Sequence, residues 1–175
     1  MYLRAQTLKQ TTHHMRILSF LATAIIAATA CCSSNQKQIT VVPYPNSVEF
    51  TEGQFKAKGA DFNYAEDLDA RSEAAICKFA KQLSLVTGKE SRVSKGAAGN
   101  GFTFVLDTRM PAEAYSIEIG RNEAVIKASG LNGFNYAIQT LKQMLPVEIF
   151  ANEKAAGKRW SLPCCKIEDA PRFGY

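Results

Sequence analysis

Two stretches of the chain place apolar residues at helical intervals, while most of the remainder alternates. In EDLDARSEAAICKFAKQLSLVTGKE the residues Ala75, Ile76, Phe79, Ala80 and Leu83 fall on one stripe, and Arg71, Lys78 and Lys81 lie on the other side. Glu66, Asp67 and Asp69 crowd the first turn, where acids suit the helix dipole, and Gly88 stands where a left-handed cap would end the helix. In GLNGFNYAIQTLKQMLP the stripe is Phe134, Ala137, Ile138, Leu141 and Leu145, and Pro146 forbids a further turn.

The alternating stretches read as strands. Val48 and Phe50 share a face, Thr51, Glu52 and Gly53 give a tight connection, and Phe55 resumes the pattern, which predicts a hairpin. Pro43 and Pro45 keep VPYPN extended and place it at an edge or as a lead-in. A short strand through Val93 precedes a Gly-rich linker, and FTFVLD is a strand. AYSIEIGRNEAVIKAS predicts a second hairpin, with strands Tyr115 to Ile119 and Ala124 to Ala128 joined around Gly120, Arg121 and Asn122. VEIFANEKAAGKRW reads as a loop and SLPCCKIED as a last short strand. This order predicts an α+β domain: a mixed, mostly antiparallel sheet with both amphipathic helices packed on one face.

The N-terminus has a different pattern. After a polar, unpatterned start, Arg16 precedes an apolar run from Ile17 to Ile26 and small residues up to Cys31. This is the layout of a bacterial secretory signal, too short to stay comfortably as a membrane span. Met15, immediately before Arg16, stands where an initiator is expected, and N-terminal sequencing that found peptides upstream of it would reject a start there. Ala28, Thr29 and Ala30 before Cys31 resemble a lipobox, with Ala28 in place of the usual Leu. Cys31 is therefore expected to be acylated and to anchor the protein in a membrane, a periplasm-facing anchor being preferred to the cell surface. The alternative is a soluble export signal with Cys31 an ordinary thiol. Residues 1–30 form the upstream segment and signal, and residues 31–38 are a flexible polar tether.

Composition adds exclusions. Removing the first thirty residues takes away Arg4, Lys9 and Arg16 and no acid, so the formal net charge falls from +5 to +2. The remaining excess is not clustered on one element, which argues against nucleic acid as a partner. The only histidines, His13 and His14, lie upstream of the signal, and no Cys-x-x-Cys spacing occurs among the five cysteines, so no zinc site is expected. The adjacent pair Cys164 and Cys165 would strain to bridge each other. Cys77 could pair with either, although a buried thiol is the simpler role.

Catalytic motifs are scarce. A nucleophilic triad needs a histidine that the exported part does not have. GAAGNG has neither the ending of a P-loop nor the spacing of a dinucleotide fingerprint, so no cofactor is expected. The pair Glu168 and Asp169 suggests glycoside hydrolysis, but neighbours on a strand point to opposite faces, and two carboxylates sharing a sugar must converge across about 5 to 10 Å. A strand-end acid that accepts backbone N–H bonds or pairs with Arg172 is the preferred reading. Trp160, the only tryptophan, reads as a core or interface residue rather than a sugar platform.

Three stretches in order, VVPYPNSVEFTEGQF, EAYSIEIGRNEAVIKASGLNGFNYAIQTLKQML and LPCCKIEDAPRFGY, resemble the N-terminal, non-catalytic domain of bacterial β-N-acetylhexosaminidases of glycoside hydrolase family 20. The most diagnostic pattern is Gly130, Gly133, Tyr136, Ala137, Gln139, Thr140 and Leu141. The resemblance implies a domain over residues 39–166 and, in residues 167–175, a linker into a (β/α)8 barrel. That barrel carries the family's reaction, in which an Asp and Glu assist attack by the substrate's own acetamido group. None of those residues falls in this chain, and the family's pair does not map onto Glu168 and Asp169. No catalytic residue is therefore assigned. Phe173 and Tyr175 are expected to form an interface with the barrel, through which alone a glycan substrate would be met. The resemblance thus implies a supporting domain, inactive by itself. The rival is a stand-alone carbohydrate-binding or structural lipoprotein.

Overall fold

The computed structural model describes residues 39–96 and 99–170. Cys31, Arg172, Phe173 and Tyr175, the segments 1–30 and 31–38, and the end of the expected linker lie outside them. Ten elements follow one another: β1 (Ser47–Lys56), β2 (Phe62–Tyr64), α1 (Ala70–Thr87), β3 (Val93–Lys95), β4 (Gly101–Leu106), β5 (Tyr115–Ile119), β6 (Glu123–Ala128), α2 (Leu131–Met144), a 3₁₀ turn (Val147–Phe150) and β7 (Ser161–Asp169). The strands form one sheet in the order β1-β7-β5-β6-β4-β2-β3.

The sheet is mixed, as expected, and its three antiparallel pairings are together longer than its three parallel ones. β1, β7, β5 and β6 pair antiparallel, whereas β6, β4, β2 and β3 pair parallel. The parallel half depends on β2, a strand of three residues too short to show an alternation, which α1 connects to its parallel neighbour β3. The first expected hairpin is absent. β1 runs straight through Thr51, Glu52 and Gly53, and the register with β7 jumps there, from Phe50 opposite Cys165 to Gln54 opposite Pro163. Those three residues bulge out opposite Cys164. Gly53 takes a positive φ of 121°, and Pro163 has no N–H to give the ladder at that point. A turn signal thus became a bulge. The second hairpin, β5 and β6, forms as read.

Both helices pack on one face, and the cross-strand rows show how. Tyr64, Phe104, Ile126, Ile117, Ile167 and Val48 line up across neighbouring strands, as do Phe62, Phe102, Ala124, Ile119, Cys165 and Phe50. The ring of Phe79 on α1 meets Phe62 edge-on at 5.3 Å and Phe102 at 5.7 Å, and Phe134 on α2 meets Phe104 at 6.0 Å. Ring pairs at such separations contribute about 0.5 to 1.5 kcal/mol each beyond their buried area. The stripe residues of both helices, Ile76, Phe79, Ala80 and Leu83 with Phe134, Ala137, Ile138 and Leu141, are buried, and Ala75 is half-buried.

The helix ends follow their chemistry. Asp69 caps α1, its carboxylate accepting from the N–H groups of Arg71 and Ser72 and from the Ser72 hydroxyl at 2.6 Å. Glu66 and Asp67 therefore precede the helix instead of sitting in its first turn. Gly88 closes it in the left-handed conformation, with φ 63°.

Candidate functional site

The end of β7 gathers the polar groups of the sheet. Glu168 and Asp169 face opposite sides, as neighbours on a strand must. Glu168 points to the solvent face, pairs with Lys166 at 2.7 Å and has Ser116 and Ser47 beside it on the flanking strands. Asp169 ends the row on the helix side, directly opposite Tyr115. Ile167 to Asp169 thus belong to β7, and Ile167 is fully buried, so the sheet extends three residues into what the sequence suggests as linker.

Tyr115 is 3 % exposed, and its hydroxyl lies 2.7 Å from the Thr140 hydroxyl on α2 and 3.3 Å from Oδ2 of Asp169. Burial, with the Asp169 carboxylate adding to it and Thr140 opposing, pushes the phenol pKa up to about 12. The other carboxylate oxygen of Asp169 accepts from the Asn46 N–H at 3.2 Å, and the Asn46 side-chain amide donates to the Ala170 carbonyl at 3.1 Å. The expectation that a strand-end acid accepts a backbone N–H is met here. Nothing in the sequence alone marks Asn46 or Tyr115 for this role. The one available signal is Thr140, a polar residue at a buried position of an apolar stripe.

Beside this cluster the solvent face of the sheet and the 107–114 loop enclose an open basin of about 620 Å³, with Asp107, Met110, Ser116, Lys127, Lys166 and Glu168 on its walls. Among the described residues its aromatic lining is Tyr115 alone, whose buried ring presents no stacking surface to a sugar. Trp160 is buried as well, and its carbonyl accepts from the Ala57 N–H at 3.0 Å. Among the described residues no group of histidine, cysteine and carboxylate side chains is placed to hold a metal.

The described cysteines are free thiols. Cys77 is half-exposed instead of buried, on the outer side of α1 near Lys78, Lys81 and Leu85. Cys165 sits in the core, where burial pushes its pKa up to about 11. Cys164 turns to the other face, against the Gly53 bulge, where a Cβ on Gly53 would lie 3.1 Å from its sulfur. Of the diagnostic α2 pattern, Gly133, Ala137, Thr140 and Leu141 are buried, while Tyr136 and Gln139 face outward. Arg71, Lys78 and Lys81 are exposed, as expected of the polar side of α1.

Comparison with known proteins places this geometry. The chain is 23% identical over 159 residues to a beta-hexosaminidase of Porphyromonas gingivalis, a match covering 82% of this chain and 20% of the relative. Among solved structures it resembles the GH20 beta-N-acetylhexosaminidase of Streptomyces coelicolor at 26% identity and TM-score 0.66, over 77% of this chain and 27% of that one. It also resembles a beta-N-acetylhexosaminidase of Bacteroides fragilis at 28% identity and TM-score 0.57, over 78% and 25%. The chain therefore spans only about a fifth to a quarter of the length of these relatives. Residues 38–170 match the model of glycosyl hydrolase family 20, domain 2, and the chain belongs to that family through this non-catalytic domain.

Proposed function

We propose that this chain is the supporting domain of an exported β-N-acetylhexosaminidase, an enzyme that removes terminal N-acetylhexosamine residues from glycans by substrate-assisted hydrolysis, and that it has no hydrolase activity alone. The observation that carries this reading is the match of residues 38–170 to a domain that makes up only a small part of each relative. The opposed directions of Glu168 and Asp169 support the second half, because the only adjacent carboxylates at the strand end cannot share one glycosidic bond. Its work is then mechanical: a packed sheet and two helices that buttress a barrel, with Phe173 and Tyr175 contributing to the contact.

The lipobox-like Ala28, Thr29, Ala30 and Cys31 support export and acylation at Cys31, with the domain held at a bacterial membrane and facing the periplasm or the cell surface. Mass spectrometry of the mature N-terminus tests this, since an unmodified Cys31, or a chain still starting upstream of it, would refute the anchor.

A chromogenic N-acetylglucosaminide assay on purified residues 33–175 decides activity. No turnover above a boiled control is expected, and turnover would overturn the supporting role. Calorimetric titration with N-acetylglucosamine oligomers is expected to show no saturable heat, and saturation would favour a carbohydrate-binding lipoprotein instead.

A further inference from the structure

We infer that Thr140, Tyr115, Asp169 and Asn46 act as one clasp that fixes the direction in which the backbone leaves the sheet at the end of β7. The proton count gives the clasp a direction. The Tyr115 hydroxyl has one proton and two oxygen neighbours, Thr140 at 2.7 Å and the Asp169 carboxylate at 3.3 Å. A carboxylate only accepts, so the tyrosine proton goes to Asp169 and the Thr140 proton goes to the tyrosine oxygen. The bonds therefore run from Thr140 to Tyr115 to Asp169, each polarising the next. With its pKa at about 12, the phenol keeps its proton through the whole range in which the protein is handled.

The second carboxylate oxygen then takes the Asn46 N–H, and the Asn46 side chain takes the carbonyl of Ala170, the residue after the strand. Four parts of the chain meet in this cluster: Asn46 and Asp169 are 123 residues apart, Tyr115 and Asp169 are 54 apart, and Tyr115 and Thr140 are 25 apart. Strand ends commonly fray, because the last ladder pair has support on one side only. Here the last side chain is held by Tyr115 and by Asn46, and Asn46 also holds the following carbonyl. The anchor of the whole arrangement is a tyrosine ring packed in the core, so the body of the domain bears on the exit direction.

The clasp uses only residues of this domain and does not depend on the supporting role proposed above; if that role holds, it orients the backbone beyond the sheet. Amide hydrogen exchange on residues 33–175 tests it in Tyr115→Phe and Thr140→Val. The Asn46 N–H donates to Oδ1 of Asp169, so its exchange reports on the carboxylate whose other oxygen Tyr115 holds. If the clasp is one unit, both variants speed Asn46 exchange roughly five- to tenfold, as loss of one supporting hydrogen bond would, while the Ile126 amide in mid-sheet stays at the wild-type rate. Unchanged Asn46 exchange in either variant overturns the proposal, because Asp169 would then be held by the lead-in alone. An equal rise at Ile126 in both variants also overturns it, by making the cluster a general stability element.

Discussion

Gly133 on α2 presses its α-carbon against the backbone of Ala114: a Cβ built on it would lie 2.5 Å from the Ala114 carbonyl oxygen and 2.8 Å from the Ala128 methyl. The first turn of α2 rests directly on the start of β5 and the end of β6, and only the absence of a side chain lets it come so close. One obstacle is the backbone that leads into β5 and the other a short methyl on β6, so neither can swing away as a long side chain would. Gly133→Ala is expected to destabilise the domain by about 1 to 3 kcal/mol, the usual cost of overpacking. Urea unfolding checks it through a lower midpoint at an unchanged slope, and an unshifted midpoint would mean that the helix slides freely over the sheet.

Phe102 is fully buried and joins three elements, with its ring centroid 5.0 Å from Phe55, 4.8 Å from Phe62 and 5.7 Å from Phe79. Removing the ring opens a cavity among these packed rings. Phe102→Ala should cost about 3 to 5 kcal/mol, a large part of the stability of a small domain. Thermal unfolding followed by far-UV circular dichroism would show a strongly lowered midpoint or an unfolded variant, and a loss within the range of a surface substitution would contradict the packing.

How much of this fold is legible in the sequence depends on how local the cause is. The stripes of α1 and α2, the cap at Gly88 and the β5–β6 hairpin arise from residues within a few positions of one another, and each is legible. Where partners are distant the pattern fails. Thr51, Glu52 and Gly53 have turn composition, yet β7, about 110 positions away, supplies a continuous ladder on both sides of them and makes them a bulge. The three residues of β2 become a strand only because β3 and β4 flank them. The same limit applies to the clasp: Asn46, Tyr115 and Asp169 are unremarkable singly, and only the register that sets Tyr115 opposite Asp169 gives them a joint role.

The three described thiols should separate cleanly in reactivity. Cys77 is half-exposed on α1, whereas Cys164 and Cys165 are buried on opposite faces of β7, and burial holds the Cys165 thiol at about 11. The thiolate is the reactive form, so an inaccessible thiol that is also protonated at neutral pH is doubly protected. Native residues 33–175 treated with a disulfide reagent at pH 8 should release one equivalent quickly, from Cys77, and the other two only on unfolding. Cys77→Ser should abolish the fast phase, and its survival in that variant would place another thiol at the surface.

The cap of α1 links stability to acid. Ser72, through its hydroxyl and its N–H, and then the Arg71 N–H, donate to the Asp69 carboxylate and hold its pKa below the usual carboxylate value. Arg92 does the same for Asp61, and Arg109 for Asp107. A carboxyl whose pKa is lower in the folded than in the unfolded chain stabilises the fold fully above the unfolded value, about 3.9 for Asp. That stabilisation declines as pH falls through this value and is gone below the folded pKa. The melting temperature should therefore hold near neutral pH and decline below about pH 4. Asp69→Asn keeps a capping oxygen but has no charge for the helix dipole. It should begin with a lower melting temperature at pH 7 and lose less on acidification, so that the two curves converge at low pH. Curves that stay parallel down to pH 2.5 would show that the ionised Asp69 carboxylate contributes nothing to the fold.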